Sequence, residues 1–365
     1  MITEAQLKTV LSENLSPEEV DIFLEKRLKT LYARGNIDNI NEIIKVLKKY
    51  NLLFLLNKCN TILVQGNSKN ISSILDILEK NHLKGLVLQC PSILAKGNSK
   101  NISAILDALV DKELMNLVTN CPSILAHGSS NEITKILNVL EEKNQLELLK
   151  VCPTILAQGN SKNISFILDI LEENNLKDLV SQCPYILAHG NSKEIGAILD
   201  ILEKNNLKDL VSQCPTILAL GNSKEISTIL DILEETNLKD LVSQCPYILT
   251  RGNSKEISTI LDILEKNNLK GLVSQCPYIL ACGNSKEIIN ILNVLKEKNQ
   301  LKLLKTCPTI LAQGNSKNIS AILDILEENN LKGFVSQCPY ILARGNSKEI
   351  TNILNVLKEK NQLEL

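Results

Sequence analysis

Aromatic residues are scarce in this chain of 365 residues. Tryptophan is absent, and four phenylalanines and six tyrosines make up only 3% of the sequence. Hydrophobic residues nevertheless account for 44% of it, so a large core is expected, filled mainly by small aliphatic side chains. Basic and acidic residues balance at 40 against 41, which excludes the global cationic excess that marks many nucleic-acid-binding proteins.

Long hydrophobic runs are also missing. No apolar stretch approaches the ~18 residues that a membrane-spanning helix needs. The N-terminal stretch is polar and acidic, and it does not fit a cleaved signal peptide. We therefore expect an intracellular protein in a reducing compartment, with delivery into a host cell or a nucleus as an open alternative.

The eleven cysteines do not form a disulfide pattern. Ten of them, from Cys59 to Cys338, recur every 31 residues, and Cys282 stands at a different position. One thiol per packed helical repeat places neighbours about 10 Å apart, whereas a disulfide tolerates a Cα separation of roughly 7 Å. No second Cys or His lies at zinc-ligand spacing. We predict small buried thiols, and neither a metal nor a cofactor.

The cysteines mark an internal repeat. Residues 59–365 are ten copies of a 31-residue unit without insertion or deletion, the last one truncated. Residues 28–58 fit as a degenerate copy without Cys-Pro, and residues 1–27 are predicted to form an N-terminal cap, which solenoids need at an apolar end. One elongated domain is expected.

Each unit has the pattern of helices. In residues 245–275, Asn253 is predicted to be an N-cap, Glu256 to complete a capping box, and Gly252 to supply a residue that is free to turn. Asn267 and Asn268 are predicted to end the helix. The apolar residues fall at helical spacing in one series before and one after this break: Ile257, Ile260, Leu261 and Leu264, then Leu269, Leu272, Val273, Cys276, Ile279 and Leu280.

The second series runs through Pro277, which allows either one kinked helix or two helices. No strand pattern occurs. The predicted fold is an all-α superhelical solenoid of about eleven 31-residue two-helix repeats.

Near-identical copies expose a variable position directly before the Gly of each unit. We predict that this side chain faces nucleic-acid bases. One helical turn earlier the chain places Tyr185, Tyr247, Tyr278 and Tyr340, or Ser and Thr in other copies. The predicted base-reading residues are Arg34, Gln65, Lys96, His127, Gln158, His189, Leu220, Arg251, Cys282, Gln313 and Arg344.

A nearly constant lysine follows in the first turn of the long helix, with Asn131 as the exception. A lysine there opposes the helix dipole, but together with a helix N-terminus it suits a phosphate. The predicted phosphate-binding residues are Lys69, Lys100, Lys162, Lys193, Lys224, Lys255, Lys286, Lys317 and Lys348. The alternatives are inheritance through recent duplication for the lysines and drift in an exposed loop for the variable residues.

Two resemblances point to nucleic acid. The segment 341–349 resembles the loop of TAL-effector-like DNA-binding repeats. There Arg344 and Gly345 match the variable pair, and Lys348 matches the phosphate-contacting lysine. Because the second residue of the pair is always Gly here, the first would have to discriminate bases. The Cys-Pro-x-Ile-Leu element at 245–249 is similar to the mTERF repeat, another helical nucleic-acid-binding solenoid.

These patterns favour a monomeric protein that reads nucleic acid, double-stranded DNA in preference to RNA, with one repeat per nucleotide. The alternative is a protein–protein interaction solenoid, such as a bacterial effector scaffold, which the neutral net charge favours. An enzyme is not expected, since only three histidines occur and no acid–base or nucleophile constellation recurs.

Overall fold

The structure is a computed structural model that describes residues 4–13, 17, 20, 36–59, 61–360 and 362. All regular secondary structure in this part of the chain is helical, as the sequence predicts. The chain divides into two compact units, Met1–Ser192 and Lys193–Leu365. Each unit is a helical solenoid of repeats, and the single elongated domain expected from the unbroken period stays a prediction.

Each repeat contains three helices. Long helices carry the first apolar series and pack against the long helices of neighbouring repeats in the same unit. Their bounds are Ile37–Lys49, Ser68–Lys80, Ser99–Val110, Ser130–Glu142, Ser161–Glu173, Ser192–Lys204, Ser223–Glu235, Ser254–Lys266, Ser285–Glu297, Ser316–Glu328 and Ser347–Glu359.

Two short helices carry the second apolar series. The first type, called linker helices, comprises Leu55–Lys58, Leu86–Gln89, Asn116–Asn120, Leu148–Val151, Leu179–Gln182, Leu210–Gln213, Leu241–Gln244, Leu272–Gln275, Leu303–Thr306 and Phe334–Gln337. The second type, called edge helices, comprises Thr61–Gln65, Ser92–Lys96, Ser123–His127, Thr154–Gln158, Tyr185–His189, Thr216–Leu220, Tyr247–Arg251, Tyr278–Cys282, Thr309–Gln313 and Tyr340–Arg344.

The cysteine before each proline separates the two short helices. Cys276 has φ −143° and ψ 81°, outside the helical region, because a residue before proline is disfavoured there. Pro277 then begins the edge helix with φ −59° and ψ −20°. The second helix of each predicted pair is therefore two helices, which settles the alternative that the sequence left open.

The apolar series form the core. Ile257 and Ile260 on the long helix are completely buried, as are Val273 and Ile279 on the short ones. Each such side chain contributes about 1.5–3 kcal/mol of burial free energy. Equivalent residues repeat in each copy, so each unit has a continuous aliphatic core that needs no large aromatic residues.

The long helices end at an asparagine in the left-handed region. Asn268 has φ 55°, its N–H donates to the carbonyl of Glu265 at 3.0 Å, and the N–H of Leu269 donates to the carbonyl of Leu264 at 2.7 Å. This is a Schellman-type end, in which Asn replaces the usual Gly. The predicted break at Asn267-Asn268 is thus confirmed. His82 and Glu113 take the same conformation in their repeats.

At the N-terminal end of the chain, the helix Glu4–Ser12 packs against the long helix Ile37–Lys49 and buries Leu7 and Leu11. Residues 36–58 carry a long and a linker helix at the positions expected for a degenerate repeat. The other residues of the predicted cap lie largely outside the described part. No helix of the described residues has the length and apolar character to cross a membrane.

Candidate nucleic-acid interface

Each repeat has a corner where the edge helix ends at Gly and the long helix begins after Asn. The glycine does not adopt a left-handed turn, since Gly252 has φ −64° and ψ 152°. The prediction that it is free to turn is therefore wrong. A Cβ on Gly252 would lie 2.3 Å from the carbonyl oxygen of Ile248 and 2.9 Å from the Ile257 side chain. Glycine is required because the chain passes close to its own preceding turn.

The glycine carbonyl is also engaged in several repeats. The side-chain amide of Asn70 donates to the carbonyl oxygen of Gly97 in the next repeat at 2.8 Å. Gly97 itself is buried. These contacts make the glycine a packing residue, so the side chain that precedes it is the one presented outward.

The N-cap asparagine behaves as predicted. The Oδ1 of Asn253 accepts from the backbone N–H of Glu256 at 3.2 Å. The side chain of Glu256 does not complete a capping box, however. Its Oε2 accepts from the N–H of Ser285, the first residue of the next long helix, at 2.8 Å. We call this bond, from the residue after the lysine to the following repeat, the staple.

The staple residue is Asn in some repeats and Glu in others. In unit 1 the helices beginning at Ser68, Ser99, Ser130 and Ser192 receive an asparagine staple, and only Ser161 receives a glutamate, Glu132, at 2.5 Å. In unit 2 the helices beginning at Ser223, Ser254, Ser285 and Ser316 receive glutamate staples, and Ser347 an asparagine staple. The helix N-termini of the two units therefore differ in charge.

Three of the glutamate staples, Glu132, Glu194 and Glu287, are stabilised as carboxylates. The backbone N–H of Ser161 lowers the pKa of Glu132, and that of Ser223 lowers the pKa of Glu194. The N–H of Ser316 likewise lowers the pKa of Glu287, with a smaller contribution from the Lys317 ammonium. A carboxylate at a helix N-terminus occupies the place where an anionic ligand would bind. From the sequence, this position was interpreted as a local cap. Only Asn and Glu occur there, and this restriction was the signal that could have indicated its bond to the next repeat.

The N-cap and the staple leave the lysine side chain of the corner exposed to solvent. In the unit 2 repeat beginning at Cys245, the first and third N–H groups of the long helix are bonded, which leaves that of Lys255. All nine predicted phosphate-binding lysines are exposed. Ion pairs such as Lys84–Glu79 and Lys239–Glu234 lie mostly near the C-terminal ends of the long helices. A long helix of 13 residues separates the two ends by about 20 Å.

The predicted base-reading residues from Gln65 to Arg344 are all exposed, and Arg34 lies outside the described residues. They end successive edge helices, which pack against one another within each unit. The Nε of Arg344 donates to Oε1 of Gln313, the equivalent residue of the preceding repeat, at 2.8 Å. These two neighbouring variable side chains thus contact each other directly.

The tyrosines share this surface. The ring of Tyr185 stacks on His189 with centroids 5.5 Å apart, and the Arg251 guanidinium lies 5.3 Å from the Tyr247 ring centroid. Tyr247 and Tyr278, in adjacent repeats, have ring centroids 6.2 Å apart. The tyrosine and the variable residue of one repeat therefore form one surface element, and elements of adjacent repeats meet.

The cysteines take no part in this surface, apart from Cys282. All eleven are free thiols. Burial raises the pKa of the Cys245 and Cys276 thiols, so they stay protonated. Six of the eleven are buried as predicted, whereas Cys59, Cys90 and Cys183 are half-buried and Cys338, like Cys282, is exposed. The described residues contain no group of three or more His, Cys, Asp or Glu that would hold a metal ion.

Comparison with known proteins gives one match. Residues 202–364, somewhat less than half of the chain, match the family model described as mTERF. This match supports the mTERF-like resemblance for that part, and the mTERF family suggests nucleic-acid binding by helical repeats. The TAL-effector-like resemblance is not confirmed. No curated protein matches the chain. No solved structure matches it either.

Proposed function

We propose that this protein binds nucleic acid along the row of repeat corners, DNA in preference to RNA, with one repeat per nucleotide. The lysines hold phosphates, and the variable residues before each glycine contact bases. The observation that carries the proposal is the side-by-side arrangement of exposed variable residues, as between Arg344 and Gln313, next to exposed lysines at the same corner. The match of residues 202–364 to mTERF supports it.

The packing of the corner indicates which residues position the protein on nucleic acid and which contact bases. The glycine packs against its own preceding turn, and the staple side chain is bonded to the N-terminus of the next long helix, so both fix the position of the corner. Phosphate contacts position a protein on nucleic acid, whereas contacts to base edges distinguish sequences. Arg251 and Arg344 suit guanine, and Gln158 and Gln313 suit adenine.

Binding to randomised DNA at several salt concentrations tests the proposal, with duplex DNA as the first ligand. We expect log K to fall with log salt with a slope of about −0.9 for each phosphate engaged in duplex DNA. Failure to retain DNA or RNA at low salt would contradict nucleic-acid binding.

Base reading needs a separate experiment. Gln158→Arg should move the selected sequence towards guanine at one position and leave the other positions unchanged. The matched control is Lys204→Gln, at the C-terminal end of a long helix and so distant from the corner. An unchanged selected sequence in Gln158→Arg would show that the variable residue does not read bases.

One observation favours a second candidate, a protein–protein interaction solenoid such as a bacterial effector scaffold. Leu220 occupies the variable position and is 66% exposed, and a leucine contributes no hydrogen bond to a base edge. An interaction scaffold would bind a protein partner with a weak dependence on salt. The salt series above therefore separates the two candidates.

A further inference from the structure

Four of the six tyrosines of the chain stand at one position of the edge helix, and all four are exposed. Their side chains are 55%, 38%, 44% and 58% exposed at Tyr185, Tyr247, Tyr278 and Tyr340. Three of them lie in unit 2. The core of the described residues contains almost no aromatic side chains, so core packing does not explain why these rings are concentrated on one surface.

The fold does not require tyrosine at this position. In the other six copies a Ser or Thr stands there and its hydroxyl contacts the cysteine two residues earlier, as in Cys214–Thr216 and Cys307–Thr309 at 3.1 Å. A tyrosine carries no hydroxyl on Cβ and cannot make this contact. Replacing Thr by Tyr therefore gives up the contact to the cysteine and exposes apolar surface. The contacts that the rings make instead, such as Tyr185 with His189 and Tyr247 with Arg251, are with other exposed side chains.

The rings are arranged as a surface for flat ligands. Tyr247 and Tyr278 lie 6.2 Å apart with an angle of 31° between their planes, and Arg251 covers part of the Tyr247 ring. In unit 1 Tyr185 and His189 stack at 11°. Aromatic rings together with a planar guanidinium are the groups on which unpaired bases stack, and stacking tolerates every base because each has a π-face.

We propose that the tyrosine repeats bind unpaired bases, so that the ligand of this surface is single-stranded nucleic acid. This rests on the proposed function, and it narrows the form of the ligand. In a duplex the base faces are covered by their neighbours in the stack, and only the base edges are accessible from the grooves. The exposed lysines at the corners of the same repeats, Lys255 and Lys286, then hold the backbone of the strand.

The test compares a labelled single strand of mixed DNA sequence with the same strand annealed to its complement, using the full chain. The variants are Tyr247→Thr and Tyr278→Thr, alone and together. They are designed to fold, because threonine at this position restores the contact to cysteine that sister repeats make. Tyr247→Phe and Tyr278→Phe are the matched controls, since phenylalanine keeps the stacking face.

We expect tighter binding of the single strand than of the duplex, and a loss of about tenfold in single-strand affinity for each Tyr→Thr change. The Phe variants should bind like the original chain. The stacking inference is overturned if the Thr variants bind the single strand as tightly as the original chain does, or if the original chain binds the duplex more tightly than the single strand. Either result leaves nucleic-acid binding in place. Failure of the unaltered chain to bind either form overturns both proposals.

Discussion

At the scale of single residues, the corner glycine and the asparagine at the end of the long helix are favoured for different reasons. The glycine allows a close approach of the backbone, and the asparagine adopts the left-handed conformation. Gly252→Ala should lower the free energy of unfolding by about 1–3 kcal/mol, because the added Cβ would lie 2.3 Å from the Ile248 carbonyl oxygen. Gly271→Ala in the same repeat is the control, since a Cβ there meets no atom within 4 Å. Thermal unfolding followed by circular dichroism measures both. Equal melting temperatures would show that the corner relaxes without cost.

Glu113 occupies a position where most repeats have asparagine. Its φ of 58° lies in the left-handed region, which costs a glutamate more than an asparagine. Glu113→Asn should therefore raise the free energy of unfolding by about 0.5–1 kcal/mol, seen as a higher melting temperature. Glu142→Asn, at the end of a right-handed helix, should give no increase. A gain of the same size in both would assign the effect to removal of charge.

At the scale of elements, the staple of Glu287 is expected to make the stacking of its repeat on the next one sensitive to acid. The pKa of Glu287 is lowered below 4.5 in the folded chain, so its contribution is present above that pH and is lost as pH falls through the folded pKa. Glu287→Gln keeps an acceptor for the Ser316 N–H and removes the titration. Its melting temperature should fall less steeply in acid than that of the original chain.

The control for this change is Glu297→Gln, an exposed glutamate on the same long helix that makes no staple. It should leave the slope of melting temperature against pH unchanged. If Glu287→Gln also leaves it unchanged, the staple contributes no measurable stability. If both flatten it, the effect belongs to net charge in general.

The sequence predicted the elements that depend on neighbouring residues. Apolar spacing predicted the long helix, Asn253 predicted its N-cap, and Asn267-Asn268 predicted its end. Each of these features depends on residues only a few positions apart. The staple from Glu256 to Ser285 was missed since it joins residues 29 apart, and no local pattern distinguishes it from a capping box. The described variable residues and the nine lysines are exposed, and their role in binding a ligand stays a prediction.

At the scale of the whole molecule, the two units carry different chemistry at equivalent positions. Unit 1 has asparagine staples at four of its five described corners and one surface tyrosine. Unit 2 has glutamate staples at four of five and three surface tyrosines. In unit 1, Lys69 and Lys100 therefore stand at helix N-termini whose staple carries no charge, whereas the Ser130 corner has Asn131 in place of lysine. We expect corners with an uncharged staple to attract phosphate more strongly than corners with a glutamate staple, whereas three of the four surface tyrosines lie in unit 2.

This difference between the staples predicts that the corner lysines contribute unequally to DNA binding. The helix of Lys100 receives its staple from Asn70 and that of Lys255 from Glu225, so a carboxylate accompanies only the second lysine. Lys100→Gln should weaken DNA binding and reduce the steepness of its salt dependence by about one unit in log–log slope, as loss of one phosphate contact does. Lys255→Gln should change both less, because Glu225 already offsets part of its charge. Equal losses in the two variants would show that the staple does not select which corners hold phosphate.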